Sequence, residues 1–445
     1  MYRKAIERLK SWKTSEISKP LIIRGARQTG KTWLMKEFGN SCYERCAYIN
    51  FENNSRMKLL FEGDFDIERL LLGLQVEAEC PIVPGETLIL FDEVQEVPKA
   101  LTSLKYFQEN AVQHSIIAAG SILGVALHPD TSFPVGKVEF LNLYPLSFPE
   151  FLQATGNTPL HDMIEKLDFS MVSVFAVKLK ELLRQYYLVG GMPEVVNGFL
   201  WKRDFTVVRD IQKQLLDAYE QDFSKHAPNT TVPRIRSVWK SLPAQLAREN
   251  RKFVYGLVRK GARAREYELA IQWLSDCGLV HIVNRITKPG ISLQAYRDSA
   301  AFKLYAPDVG LLCAMSDLDT RSVLQGNRLF EEFKGALTEQ FVLQQLISNA
   351  GINPFYWSAD RSKGEVDFVL QIAGMVLPLE VKSYENLQAK SLKSYCNIYS
   401  PRIAFRTSLS GYREEEWLIN LPLYTLHTIA ELANRLFSGR RMEQE

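Results

Sequence analysis

Leu21-Ile22-Ile23-Arg24-Gly25-Ala26-Arg27-Gln28-Thr29-Gly30-Lys31-Thr32 decides how the first third of this chain is read. A short apolar run enters Gly-x-x-x-x-Gly-Lys-Thr, and a helix-forming stretch from Thr32 to Phe38 leaves it. Strand, glycine-containing loop and helix in that order make a phosphate-binding loop. The two glycines let backbone N–H groups turn towards phosphate, and the helix N-terminus adds the positive end of its dipole. The expectation is that Gly25, Ala26, Arg27, Gln28, Thr29, Gly30, Lys31 and Thr32 bind ATP, with Lys31 on the β- and γ-phosphates and Thr32 on Mg2+. A mere glycine-rich turn would leave the flanking strand and helix without a reason.

Working outward, residues 20 to 145 alternate apolar runs with helical stretches, the βαβ rhythm of a parallel sheet covered on both faces. Strands are expected at 21–24, 47–51, 87–91, 115–119 and 138–144. The third ends in Asp92 and Glu93. Ligands of such sheets lie beyond the C-terminal strand ends, so Asp92 is expected to bind Mg2+ and Glu93 to act as general base on the attacking water. Ser121, after Ala118-Ala119-Gly120, is placed either to sense the γ-phosphate or to cap a helix.

The whole chain, 445 residues with 46% hydrophobic and 24% charged side chains, has ordinary globular composition and length for about three domains. Its net charge of +3 does not point to nucleic acid, so any DNA contact has to come from a local patch. Cys42, Cys46, Cys80, Cys277, Cys313 and Cys396 follow no zinc spacing and read as reduced thiols. The charged N-terminus lacks the apolar core of a signal peptide, and no run reaches the roughly 18 apolar residues of a spanning helix. A soluble cytoplasmic protein with no membrane partner is expected.

The expected architecture is α/β throughout. A P-loop parallel-sheet core occupies 1–145, a helical lid 146–204, a winged-helix-like domain 205–315 and a restriction-endonuclease-like α/β domain 328–445. The winged-helix reading rests on helices at 233–242 and 262–277 followed by strands at 279–285 and 295–304. Arg259, Lys260, Arg263 and Arg265 sit at the start of the 262–277 helix, where positive charge opposes the dipole, and so are candidates for contact with DNA phosphates. Arg234, Arg236, Lys240 and Arg251 extend this patch along the chain, although such charge runs are commonly solvated surface.

In the last third, Gly364-Glu365-Val366-Asp367 and Leu379-Glu380-Val381-Lys382 lie on two strands that turn at Ala373-Gly374. Strand alternation puts Glu380 and Lys382 on one face. This is the Asp…Glu-x-Lys pattern of restriction-endonuclease-like folds. Asp367 and Glu380 are candidate metal ligands, Lys382 steadies a hydroxide or phosphate, and Glu339 on the preceding helix is the fourth member. A second Glu-x-Lys, Glu332-Phe333-Lys334, lacks the strand context and is a decoy. The bland alternative is a solvated charged face on an edge hairpin.

The P-loop stretch, Ala119-Gly120-Ser121, Tyr144-Pro145-Leu146-Ser147-Phe148 and Val189-Gly190-Gly191-Met192-Pro193-Glu194 together resemble the prokaryotic AAA-type ATPases that carry a C-terminal domain of unknown function. The resemblance runs the length of the chain. It implies ATP binding and hydrolysis, a nuclease-related C-terminal domain, and a homo-oligomer in which one subunit completes another's site. One position departs: Gly136-Lys137 stands where relatives tend to have Gly-Arg, and lysine lacks the planar fork of an arginine finger. Arg27 or another arginine would then serve. Two functions follow: an ATPase that couples nucleotide state to DNA contact and metal-dependent cleavage, or a nucleotide-switched module whose last domain only binds.

Overall fold

The alternation around the P-loop becomes a five-stranded parallel sheet. The computed structural model describes residues 1–16, 18–120, 134, 136–248, 250–325, 328–359, 364–383 and 389–439. In it β1 (Leu21–Arg24), β2 (Arg45–Asn50), β3 (Thr87–Asp92), β4 (Ser115–Ala119) and β5 (Glu139–Asn142) lie in the order β2-β3-β4-β1-β5. All four neighbouring pairs are parallel. Successive residues feed opposite faces. Leu21, Ile23, Leu88, Leu90 and Ile117 pack with Leu34 and Phe38 of the helix Lys31–Cys42 and with Leu9 and Trp12 of the helix Ala5–Lys13. Ile22, Ala47, Ile49, Ile89, Phe91 and Ile116 face Phe61, Leu70, Leu104 and Phe107 from three helices on the other side. Each of the large side chains contributes about 1.5–3 kcal/mol of burial. The short connections leaving β1 and β3 therefore start from the same rigid edge.

This sheet belongs to a unit comprising Arg3–Tyr144 and Gln272–Leu279; the other unit comprises Pro145–Ile271 and Val280–Glu445. In the second unit β6 (His281–Ile286), β7 (Arg297–Tyr305), β8 (Phe355–Ser358), β9 (Glu365–Ile372), β10 (Met375–Val381), β11 (Ala404–Ser408), β12 (Arg413–Glu414) and β13 (Leu418–Pro422) form one mixed sheet. Its order is β12-β13-β11-β10-β9-β8-β6-β7. The β9–β10 hairpin turns at Ala373 and Gly374, with φ of 51° and 75°, where the sequence pattern puts it.

Two expectations change here. The hairpin read as a wing is β6–β7, and it does not close a separate domain, because β6 pairs in parallel with β8 through Arg285↔Tyr356 and Ile286↔Trp357. β8 would otherwise present an unpaired edge, which sheets avoid. The helices read as a lid over the P-loop sheet belong to the second unit instead. In the helix Ala176–Val189, Tyr186 and Tyr187 pack against Phe341 of the helix Arg328–Ser348, and the Phe148 N–H donates to Gln345 Oε1 at 2.8 Å. Gly190 and Gly191 are needed at this junction: Gly190 has φ 71°, and a Cβ there would lie 2.0 Å from Asp308 Oδ1. The Gly191 N–H donates to the buried Asp308 at 2.6 Å. The decoy triplet lies in a helix rather than a strand.

Candidate functional site

At the end of β1 the chain turns through Gly25 (φ 154°), Gln28 (φ 64°) and Gly30 (φ 90°) into the helix that begins at Lys31. Only glycine fits at 25, since a Cβ would meet the Leu143 carbonyl oxygen at 2.1 Å. Thr29 is fully buried and its hydroxyl donates to the Ala26 carbonyl at 2.9 Å, which holds the loop closed on itself. Lys31 is drawn inward and donates to the carbonyls of Gly25 at 2.9 Å and Ala26 at 2.8 Å. Burial lowers its ammonium to about 8, against the opposing pull of Glu93 and Asp92. The lysine occupies the interior of the loop that the sequence expects it to share with phosphates.

Thr32 Oγ1 donates to Asp92 Oδ2 at 2.7 Å, so the two oxygens expected on Mg2+ are adjacent. These residues fit the cation: a hydroxyl and a carboxylate in contact, neither tied to a positive group, are the oxygen ligands Mg2+ takes beside nucleotide phosphates. Glu93 follows with left-handed backbone (φ 52°), and its carboxylate accepts from the Gln95 side-chain amide.

Two participants escaped the sequence. Tyr48, near the end of β2, donates to Asp92 Oδ2 at 2.9 Å; burial, with Asp92 and Glu93 adding to it, pushes the phenol up and keeps it a donor. Arg3 donates to the carbonyls of Thr29 at 2.9 Å and Tyr144 at 2.6 Å, fastening the P-loop to the chain segment after β5. A buried arginine so near an N-terminus leaves no motif, but β2 register alone places Tyr48 two residues before Asn50, the partner of Asp92. Lys137 pairs with Glu109 at 3.0 Å. Ser121 lies outside the described residues.

The C-terminal set also converges. Glu339, 2% exposed, comes from the helix Arg328–Ser348, Asp367 from β9, and Glu380 with Lys382 from the end of β10. Lys382 donates to Glu380 Oε1 at 2.7 Å, and Asp367 Oδ2 accepts from the Val381 N–H at 2.8 Å. Burial and the neighbouring charges of Glu339 and Glu380 push the Asp367 carboxyl well above its ordinary value, and Asp367 shares a hydrogen bond with Glu339. The sequence did not give the cations that meet Glu339. Arg251 Nη1 donates to Oε1, Tyr305 donates to Oε2 at 2.9 Å, and Lys303 Nζ lies 3.7 Å from Oε2 and 2.6 Å from Glu365. Burial works to raise Glu339, but Arg251 and Lys303 hold it below the usual carboxylate range. As arranged, the set does not fit a divalent metal. Glu339 and Glu380 are already paired with cations, and among the described residues no group of three or more His, Cys, Asp or Glu is placed to hold one.

Comparison with known proteins now adds to the geometry. Residues 18–152 match a family model described as an AAA domain. With the P-loop, Asp92 and the parallel sheet in place, this stretch is an AAA-type P-loop domain. Residues 180–322 and 334–425 match two models described as domains of unknown function, DUF8612 and DUF4143. The uncharacterized proteins Rv2008c of Mycobacterium tuberculosis and Mb2031c of Mycobacterium bovis are each 23% identical over 368 residues, covering 81% of this chain and 70% of theirs. Among solved structures, the Walker-type ATPase paby2304 of Pyrococcus abyssi aligns at TM-score 0.43 and 15% identity, over 71% of this chain and 95% of its own. The ORC1 protein of Aeropyrum pernix, solved in complex with DNA, aligns at TM-score 0.27 and 14% identity over 71% and 91%.

Outside the AAA domain, the basic run divides. Arg259, Lys260, Arg263 and Arg265 are exposed. The helix starts at Ala264, after Arg259 and Lys260. Glu266 in its first turn accepts from the Arg263 N–H at 2.9 Å, so the helix start carries its own compensating carboxylate. Of the residues that would extend the patch, Arg234 is exposed and the other three have partners within the protein. Arg236 donates to Ser224 at 2.8 Å, Lys240 pairs with Glu220 at 3.4 Å, and Arg251 is spent on Glu339. Among the described residues, no helix is long and apolar enough to cross a membrane.

Proposed function

We propose that the AAA domain binds and hydrolyses ATP with Mg2+, and that its nucleotide state governs DNA contact by the unit that holds the mixed sheet. The Thr32–Asp92 contact beside a P-loop lysine carries this reading. Backbone N–H groups of the loop receive the phosphates, and Lys31 exchanges two carbonyl partners for phosphate oxygens, which are stronger acceptors. Thr32 and Asp92 would hold Mg2+, which would supply neutralisation of charge on the phosphates. Glu93 accepts the proton of the attacking water, after its carboxylate exchanges the Gln95 amide for that water. On this reading Lys31→Ala abolishes binding of a fluorescent ATP analogue, and normal ATP turnover in that variant would overturn the assignment.

DNA contact is assigned to Arg259, Lys260, Arg263 and Arg265. Arg263→Ala with Arg265→Ala is expected to weaken binding uniformly across sequences and flatten its salt dependence. Unchanged binding discards the patch. Between cleavage and simple binding, the cations on Glu339 favour binding: Mn2+-dependent nicking that Glu380→Ala removes would reverse that preference.

A further inference from the structure

The helix Ala264–Asp276 ends in a turn closed by two main-chain bonds, from the Gly278 N–H to the Ser275 carbonyl at 2.9 Å and from the Leu279 N–H to the Leu274 carbonyl at 2.9 Å. This is a glycine-ended helix stop, with Gly278 left-handed at φ 71°. Its residues Gln272–Leu279 belong to the unit of the P-loop sheet. There Gly278 has a second task. A Cβ on it would lie 3.0 Å from Ala26 N, 3.5 Å from the Gly25 carbonyl carbon and 3.7 Å from Ala26 Cα, so the three atoms it would meet first are all main chain of the P-loop. We propose that Gly278 is a positioning residue of the nucleotide site: the helix end is the wall against which the Gly25–Ala26 peptide rests, and a bare main chain at 278 lets that peptide keep the place from which the loop receives phosphate.

Three observations carry this beyond a helix stop. The same stretch of the loop is approached by Leu143, whose carbonyl oxygen would lie 2.1 Å from a Cβ at Gly25, so two other main chains come close where no side chain fits. The loop carbonyls beside Gly278 are also the ones that hold the P-loop lysine. Lys31 donates to Gly25 at 2.9 Å and to Ala26 at 2.8 Å, and the Thr29 hydroxyl donates to Ala26 at 2.9 Å. A displaced Gly25–Ala26 peptide therefore moves the partners that Lys31 exchanges for phosphate. Finally, the wall has no room to recede. Trp273, Leu274, Cys277 and Leu279 around the stop are buried, and close-packed surroundings accept an added methyl group only by shifting a neighbour.

The inference rests on ATP binding at the P-loop, and the dissociation constant of a fluorescent ATP analogue for the full chain tests it. Gly278→Ala and Gly278→Asn are both expected to raise that constant about tenfold, a fraction of the roughly 100-fold that a 1 Å misplacement costs. Asparagine tolerates the left-handed backbone, so Gly278→Asn restores the helix stop but not the space. Wild-type affinity in Gly278→Asn would reduce Gly278 to a helix stop and overturn the proposal. Gly85→Ala is the control for strain: Gly85 has φ 78° and a Cβ there meets nothing within 4 Å, so the variant is expected to bind as wild type does. An equal loss in Gly85→Ala assigns the effect to strain and also overturns the proposal. Should neither Gly278 variant fold by circular dichroism, wild type decides: the analogue is expected to slow amide hydrogen exchange at Gly278 and Leu279, and unchanged exchange there counts against the wall. Lys31→Ala keeps the two readings apart. Analogue binding that survives Lys31→Ala sinks the ATP assignment, whereas binding lost in Lys31→Ala but intact in Gly278→Asn sinks this inference alone.

Discussion

Asp92 is met by two hydroxyls, from Thr32 at 2.7 Å and Tyr48 at 2.9 Å, while Glu339 is met by a guanidinium, an ammonium and a phenol. Both carboxylates stand in buried polar constellations beside a strand end, and both were named from sequence as site residues. What separates them is saturation. Neutral donors orient a carboxylate and leave its charge available to a cation, whereas full cationic partners cancel it. A converging set of acids is thus not a metal site until its counter-ions are counted, and removing one member of a buried ion cluster of this kind is strongly destabilising because it leaves a buried charge unpaired.

The contrast breaks most visibly at Glu93. Glu93→Gln should lower ATP turnover by about 100- to 10,000-fold, the usual range for a lost general base, while nucleotide affinity stays within a few-fold. Glu380→Gln should leave turnover unchanged. Equal losses in both would mean that the two constellations act as one catalytic unit.

Next in size is a pair of isosteric changes inside the ion cluster. Glu339→Gln leaves Arg251 and Lys303 without their shared carboxylate and should cost about 3–5 kcal/mol in urea unfolding. Asp367→Asn should be neutral or stabilising at pH 7. The native state holds this carboxyl protonated above its unfolded value, so folding takes up a proton and Asp367 lowers stability as pH rises through the ordinary carboxylate range. The amide removes that slope and still donates to Glu339. Destabilisation of similar size in both variants would refute the shared-proton arrangement.

Legibility followed the reach of each interaction. The P-loop was complete in the sequence because its geometry is set within eight consecutive residues, and the Asp367, Glu380 and Lys382 alignment was readable because strands alternate with period two. Arg251 and Tyr305 reach Glu339 across 88 and 34 residues, and nothing local marks them. Arg251 even read as part of a DNA-facing patch, since an arginine in sequence does not say which carboxylate it will find. The lid and the wing failed for the same reason: an apolar helix face and an unpaired strand announce that they need a partner, but not that Phe341 or β8 supplies it.

A smaller effect is expected from Lys31. In the nucleotide-free protein its ammonium sits at about 8, and phosphates favour the charged form. Binding above pH 8 therefore takes up a proton, and the dissociation constant should rise by up to about tenfold per pH unit there, while staying flat below it. Lys31→Arg, which keeps its charge, should remove the rise. A flat profile in wild type would show that the lysine is not desolvated in the loop.

The smallest change tests Tyr48, the hydroxyl that most distinguishes the surroundings of Asp92 from those of Glu339. Its ring lies under Lys36, 3.6 Å from the ammonium to the ring centroid, so Tyr48→Phe keeps the packing and removes only the donor to Oδ2. Loss of one neutral hydrogen bond to a charged acceptor is worth about 1.5–3 kcal/mol at most, and Thr32 still donates to the same oxygen. The expected result is a several-fold weaker requirement-saturating affinity for Mg2+ in ATP turnover, with Mg2+-free nucleotide binding unchanged. An equal loss without Mg2+ would place Tyr48 in the folding of the loop rather than in the orientation of Asp92, and would leave the AAA domain with one hydroxyl, not two, preparing its carboxylate.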